Sequence, residues 1–440
     1  MRSLLAFGVA LVVAVAPTTG VADEFKTGEM IDKTTWEKAK DLLPEEILRH
    51  YKEGEYANKF VDWPASQFNW PPDFKAGSDA NAGKFTTSPT GTILDKGTNK
   101  QPEYVIGFPF PTVDASDSMA AVKILWNHFY RTWYFGNLEA ESQINWVSPT
   151  ALERRADVNV KFGYYDGVPA DERPDRNPEN FLYRNLALVV GPADLNGTAA
   201  LTWRYRDPDK RDSTWAYVPA LRRVRATSPA NRSDGFLGSD ESQDDGPFFD
   251  GKVEDFEWKL VGERDALRLS EETNLAGKSQ SRWIEGRGWD TVWPDIPFIG
   301  YMDPNWKGVA WAPTGAASLS KRRVWVIEGV PRDKYYLFGR LELWIDKLTF
   351  QGCWSRKFGW KGELLAIHQV MGWNPLPSTR PNGKVDYNQG SNQAYQTVEN
   401  IKLNRATVAG IKSSPTAGFY GRMKLNPAVF DVDTLARSGK

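Results

Sequence analysis

The chain has 440 residues, with 55 Lys and Arg against 56 Asp and Glu and a formal net charge of −1 at pH 7. That balance gives no case for nucleic acid or an anionic membrane as a bulk partner, and a single cysteine, Cys353, excludes an internal disulfide and a thiolate zinc site. The outlier is the aromatic content, 19 Trp, 16 Tyr and 22 Phe, which fits either a large β-rich core or an aromatic-lined ligand cavity.

The first stretch, MRSLLAFGVALVVAVAPTTGVAD, has a basic Arg2, an apolar run from Leu4 to Ala16 and a small-residue site at Gly20–Ala22. It reads as a secretory signal peptide, residues 1–22, cleaved after Ala22. The apolar run is short for a membrane span, and no cysteine follows the cleavage site to carry a lipid. The expected location is outside the cytoplasm.

Residues 23–60 read as short helices. Trp36, Ala39, Leu42 and Leu43 fall at helical spacing, Pro44 breaks the run, and Pro-Glu-Glu opens a second helix with Ile47, Leu48 and Tyr51 on one side. Residues 61–115 are rich in proline, and neither regular helix nor central strand is expected there. Residues 116–136 carry the clearest helix: Val122, Leu125, Trp126, Phe129 and Trp133 keep the i, i+3, i+4 pattern, with Ser116 or Asp117 as the expected cap.

From about 145 to 373 the pattern turns to short strands rich in aromatic and β-branched residues, separated by turn residues. Leu201, Trp203 and Tyr205 alternate with Thr202, Arg204 and Arg206 before an Asp-Pro-Asp turn leads into Thr214–Val218. So many strands of this kind form one large antiparallel sheet that curls toward a barrel. Residues 374–440 read as a loop-rich tail, with NPLPSTRPNGK as a long loop.

The chemistry-bearing residues are few. His50, His128 and His368 are the three histidines, and none stands at metal-ligand spacing from another. No GxSxG, Walker-type loop or complete dinucleotide fingerprint occurs. Asp240, Glu241, Asp244 and Asp245 are acidic enough for paired-carboxylate work on a glycan or for a cation site, but beside Arg222, Arg223 and Arg225 they read first as an ion-pair network. The expectation is no enzyme, no cofactor and no metal.

Trp215-x-Tyr217-x-Pro219, followed by Arg222, Arg223 and Arg225 and then by Gly238-Ser239-Asp240 and Asp244, resembles the hairpin and acidic loop of periplasmic "outer membrane lipoprotein-sorting" proteins, relatives of the LolA/LolB-type carriers. LLPEEILRHYKEGEY, GFPFP, ILWNHFYR, YYLFGRLELWIDKLTF and WKGELL resemble a large subgroup of unknown function. The resemblance implies a single half-barrel domain over 23–440, mainly β, an incomplete barrel with plugging helices. It implies binding of a lipid or other hydrophobic molecule without chemistry. It also implies partnership with a proton-driven exporter of the RND class and an outer-membrane protein. Where the family often has an aromatic after Gly-Ser-Asp, this chain has Glu241, Ser242 and Gln243.

On this reading the cavity-lining candidates are Trp126, Phe129 and Trp133 on the helix and Trp203, Tyr205, Trp215 and Tyr217 on the hairpin. Arg223 and Arg225 are expected to tie the acidic loop across the sheet edge. A glycan-binding or glycan-cleaving protein and a structural adaptor of an envelope complex are the alternatives.

Overall fold

The computed structural model describes residues 25–63, 70–271, 280–292, 317–372, 377–387, 393–411, 418–424 and 426–438. The expected signal peptide, 1–22, lies outside the described residues. Among them, no helix is long and apolar enough to cross a membrane.

Among the described residues there are four α-helices: α1 (Glu45–Lys52), α2 (Pro72–Asn81), α3 (Ala120–Tyr134) and α4 (Val432–Ser438). The main strands are β1 (Leu138–Val147), β2 (Leu152–Tyr164), β3 (Phe181–Gly191), β4 (Ala199–Tyr205), β5 (Ser213–Val218), β6 (Arg223–Thr227), β7 (Phe256–Glu271), β8 (Ala317–Pro331), β9 (Arg340–Asp346), β10 (Gly352–Phe358), β11 (Leu364–Gly372), β12 (Gln393–Asn400) and β13 (Arg405–Ile411).

Antiparallel pairing runs through them in the order β6-β5-β4-β3-β2-β1-β13-β12-β11-β10-β9-β8-β7. The sheet is mixed rather than purely antiparallel. Ser270 of β7 pairs in parallel with Gly372 of β11, and Ser318 and Leu319 pair in parallel with Lys59 and Phe60. The strands make a partial ring, not a closed barrel: β6 and β7, the two ends of the run, do not pair with each other among the described residues. The fold class read from the sequence, mainly β with an incomplete barrel and few helices, is the one observed.

Strands β8–β11 are covered on both faces, which explains their near-continuous apolar runs. Alternate residues sort into two cores: Trp325, Ile327, Leu343 and Val370 pack with α3, whereas Val324, Val326, Trp344 and Ile367 pack with α1. Helix α3 is buried on nearly every side. Its start has no side-chain cap at Met119; the expected cap Asp117 instead accepts from the Met119 N–H at 2.8 Å, two residues early. It ends at Gly136, with φ +96°, where a Cβ would stand 2.6 Å from Glu172 Oε2.

Three expectations need correction. The proline-rich segment 61–115 does contain a helix, α2, because Pro72 sits in the first turn where its missing N–H costs nothing; a small hairpin, Phe85–Thr87 with Ile93–Asp95, follows it. The continuous run of strands begins at Leu138 rather than 145, after two short strands at Met30–Ile31 and Asn58–Phe60 that join the same sheet, and the outward charges of β1 and β2, among them Glu139 and Lys161, mask their alternation. The tail after 374 is not mainly loop: β12 and β13 are interior strands of the sheet, and NPLPSTRPNGK contributes to a hairpin of Pro377–Thr379 with Val385–Tyr387.

Candidate functional site: a cavity between sheet and acidic loop

A cavity of about 260 Å3 lies against strands β1 to β4 and β13. Its floor follows from strand parity. Leu138, Ala140, Ser142 and Ile144 of β1 line it, as do Val158, Val160, Phe162 and Tyr164 of β2, Tyr183, Asn185 and Ala187 of β3, and Ala200 and Thr202 of β4. Every second residue points the same way, and the register places Ala140 opposite Val160, Val160 opposite Ala187, and Ala187 opposite Ala200. Three of the four residues in this row across β1–β4 are alanines, so the sheet leaves room there.

The opposite wall is the acidic loop. Phe236, Ser239, Glu241, Ser242, Gln243, Gly246, Pro247 and Asp250 line the cavity, with Arg232 behind them and Gln396 of β12 at the side. The loop is a chain of short 3-10 turns, Pro229–Ser233, Phe236–Gly238 and Gln243–Asp245. Gly235 permits its tightest approach, since a Cβ there would fall 1.7 Å from the Ser239 carbonyl oxygen. Ser242 caps the last turn: its N–H and Oγ donate to Asp245 Oδ2 at 2.7 and 2.8 Å.

Four aspartates of the loop meet cations, and Asp244 and Asp250 share Arg232. Asp240 accepts from Arg405 Nε at 3.0 Å and from Asn400 Nδ2 at 2.9 Å, and its N–H donates to Thr407 Oγ1 at 2.8 Å. Asp244 accepts from Arg232 Nε at 2.6 Å and from the Tyr336 hydroxyl at 2.9 Å. Asp245 accepts from Lys357 Nζ. Burial pushes the Asp245 carboxyl up, but Lys357 and His368 outweigh it and hold the group below its ordinary value. Asp250 accepts from Arg232 Nη2 at 3.0 Å, from Arg204 Nη1 at 3.3 Å and from the Tyr183 hydroxyl; its burial outweighs both arginines and raises its pKa.

The cations that pair with Asp240, Asp244 and Asp245 are Arg405, Arg232 and Lys357. Arg223 and Arg225 are exposed on β6 and make no ion pair among the described residues, so the expectation that they hold the acidic loop is overturned. Arg222, with φ 47°, and Pro219 shape the β5–β6 turn. Gly238, φ 75°, and Ser239, whose Oγ donates to the Glu241 carbonyl oxygen at 2.9 Å, shape the loop. The true partners lie up to 165 positions away from the aspartates, and only Arg232 was close enough to be read from spacing.

Glu241 differs from its neighbours. Its Oε1 accepts from Gln396 Nε2, while its Oε2 has no partner among the described residues; Gln243 Oε1 is likewise unpartnered. Burial, reinforced by Asp245 and only partly offset by Lys357, raises the Glu241 carboxyl well above the usual carboxylate range. The cavity thus has an apolar floor and a small polar end.

None of the seven aromatic candidates is among the residues lining this cavity. Trp126, Phe129 and Trp133 sit in the core around α3, beside a narrow crevice that Tyr205 also borders. Trp203, Trp215 and Tyr217 do share one face, as expected, but it is the opposite face of the sheet, packed under Phe430 and Leu435 from the C-terminal turn and α4. Among the described residues, no group of three or more His, Cys, Asp or Glu is arranged to hold a metal ion.

The family model described as "Protein of unknown function (DUF1329)" matches residues 30–284, more than half of the chain. Among solved structures, the chain is similar to a DUF1329 family protein from Desulfovibrio piger, at 15% identity and TM-score 0.44, covering 74% of this chain and 100% of that one. A candidate outer membrane lipoprotein-sorting protein domain from Vibrio parahaemolyticus gives 15% identity and TM-score 0.45 with the same coverages. A LolA superfamily protein from Nitrosomonas europaea gives 12% and 0.39, covering 72% and 99%. No curated protein matches the chain.

Proposed function

The chain belongs to the DUF1329 family of proteins of unknown function, and from that premise we propose that it is a carrier that holds a lipid or other hydrophobic molecule between its sheet and its acidic loop, without chemistry. The observation that carries this is the cavity floor: alternate apolar and small residues of β1–β4, met by α3 only at Thr132 among the described residues and roofed by a loop. Each methylene buried there contributes about 0.8 kcal/mol, enough to hold a chain and let it go. A glycan site is less well supported, because its stacking platforms would be the tryptophans, and those are packed elsewhere.

The leader-like residues 1–22 support a periplasmic place of work, which in turn fits an RND-class transporter in the inner membrane and an outer-membrane protein as partners. Native mass spectrometry of protein purified without detergent tests the carrier reading. An apolar adduct is expected, together with saturable enhancement of an uncharged dye such as N-phenyl-1-naphthylamine. Neither adduct nor dye binding would end it.

A further inference from the structure

The polar end of the cavity has the wrong chemistry for an anionic lipid head. Its two nearby cations are spent: Arg232 is paired with Asp244 and Asp250, and Lys357 with Asp245. A carboxylate or phosphate placed beside them would meet three aspartates and lose its water with no free positive charge to replace it. What the wall does offer is Glu241. One carboxyl oxygen is engaged as an acceptor from Gln396, and the other is without a partner among the described residues. Burial next to Asp245 favours the protonated form of this carboxyl, and in that form its unpartnered oxygen, itself shielded from solvent, is a hydrogen-bond donor for an acceptor brought against it.

Resting on the carrier reading, we propose that Glu241 recognises the neutral carbonyl of a hydrophobic ligand, an ester or a ketone, and that the cavity discriminates against the free acid of the same chain. The apolar floor takes the hydrocarbon, Glu241 donates to the carbonyl oxygen, and the aspartate-lined wall repels a negative head.

The test is displacement of N-phenyl-1-naphthylamine from the mature chain by hexadecane, methyl palmitate, 2-heptadecanone and palmitate at pH 7.5. Methyl palmitate or 2-heptadecanone should compete about tenfold better than hexadecane, the size of one net hydrogen bond, and palmitate worse than either. The response of the two carbonyl compounds separates ester from ketone. In Glu241→Ala the carbonyl-to-alkane ratio should fall to about one. Glu241→Gln, which retains an N–H donor, should keep most of it. The inference is overturned if palmitate binds best, if ester and ketone match the alkane in the wild type, or if the ratio survives in Glu241→Ala. It is also overturned if Glu241→Gln creates a preference absent from the wild type, the signature of an ionised Glu241. Hexadecane displacement with no carbonyl preference leaves the carrier reading standing alone, whereas no dye binding at all removes both.

Discussion

Asp240 and Arg405 are joined by two hydrogen bonds of 3.0 Å, from Nε to both carboxylate oxygens, across 165 positions of sequence. The pair fastens the roof of the cavity to β13, beside its floor. Asp240 is buried but Arg405 is partly exposed, with 38% of its side-chain surface accessible, so the fastening sits at the rim, where screening keeps it weak. Arg405→Ala should therefore leave the melting temperature nearly unchanged while speeding dye release from the cavity, read by stopped-flow dilution. An unaltered release rate would mean that the loop is not the moving part.

Arg232 lies deeper. Its guanidinium serves Asp244 at 2.6 Å and Asp250 at 3.0 Å, with Asp212 at 3.5 Å, and all four groups are buried. Removing it strands carboxylates in a dry interior, a loss of about 3–5 kcal/mol. Chemical denaturation of Arg232→Ala should show this, and Arg223→Ala and Arg225→Ala should stay within about 0.5 kcal/mol of wild type, as exposed sites do. Equal losses at Arg223 and Arg232 would contradict the pairing of the acidic loop with Arg232.

The contrast between those arginines shows what the sequence could reveal. Local pattern gave α3, the β4–β5 hairpin and the shared face of Trp203, Trp215 and Tyr217, because each depends on periodicity within a few residues. It also gave the acidic loop as a place of ion pairing. It could not give the partners, since Arg405 and Lys357 are brought in by strand order, and it could not say which face of β4 looks inward. Parity fixes that residues share a face, and only the docking of α4 on that face decides which one. The cavity floor was hidden for a related reason: the residues that open it are small, and Ala140, Ala187 and Ala200 do not stand out beside 19 tryptophans.

Those alanines offer a direct probe. Ala187 and Ala200 stand opposite each other on β3 and β4 and line the cavity. Ala187→Phe or Ala200→Phe puts a ring into empty space rather than into a packed core, so overpacking strain is avoided. Dye binding should be lost while the melting temperature holds or rises. Retained binding would place the ligand elsewhere.

The N-terminal helix should be fastened in a pH-dependent way. His50 is fully buried; its Nε2 faces Glu399 Oε2 at 2.7 Å and its Nδ1 faces Glu55. Burial alone would lower the His50 pKa, but the hydrogen bonds to Glu399 and Glu55 raise it above its ordinary value, while the His50 hydrogen bond lowers that of Glu55. A raised folded-state pKa stabilises fully below the unfolded value, about 6.5, and the gain fades as pH climbs through the folded one. The Glu55 contribution is present above about 4.5 and fades as pH falls. The stability difference between wild type and His50→Asn should thus be larger at pH 6 than at pH 9 in urea titrations. A difference independent of pH would mean that His50 is neutral in the folded protein throughout.

The aromatic hairpin should prove structural rather than ligand-binding. Trp203 donates from Nε1 to the Phe430 carbonyl oxygen at 2.8 Å, and its ring meets Trp215 edge-on at 4.5 Å. Phe430 and Leu435, both buried, close over them. A ligand cannot replace those contacts without displacing the C-terminal segment. Leu435→Ala should cost about 2–5 kcal/mol, as for a buried leucine elsewhere, because it opens a gap above Tyr217. Trp215→Leu should lower stability yet leave the dissociation constant of the dye within about twofold of wild type, since the sheet separates Trp215 from the cavity. The two variants together decide the matter: lost stability with intact binding follows from the geometry, and lost binding with intact stability would return the tryptophans to the ligand site.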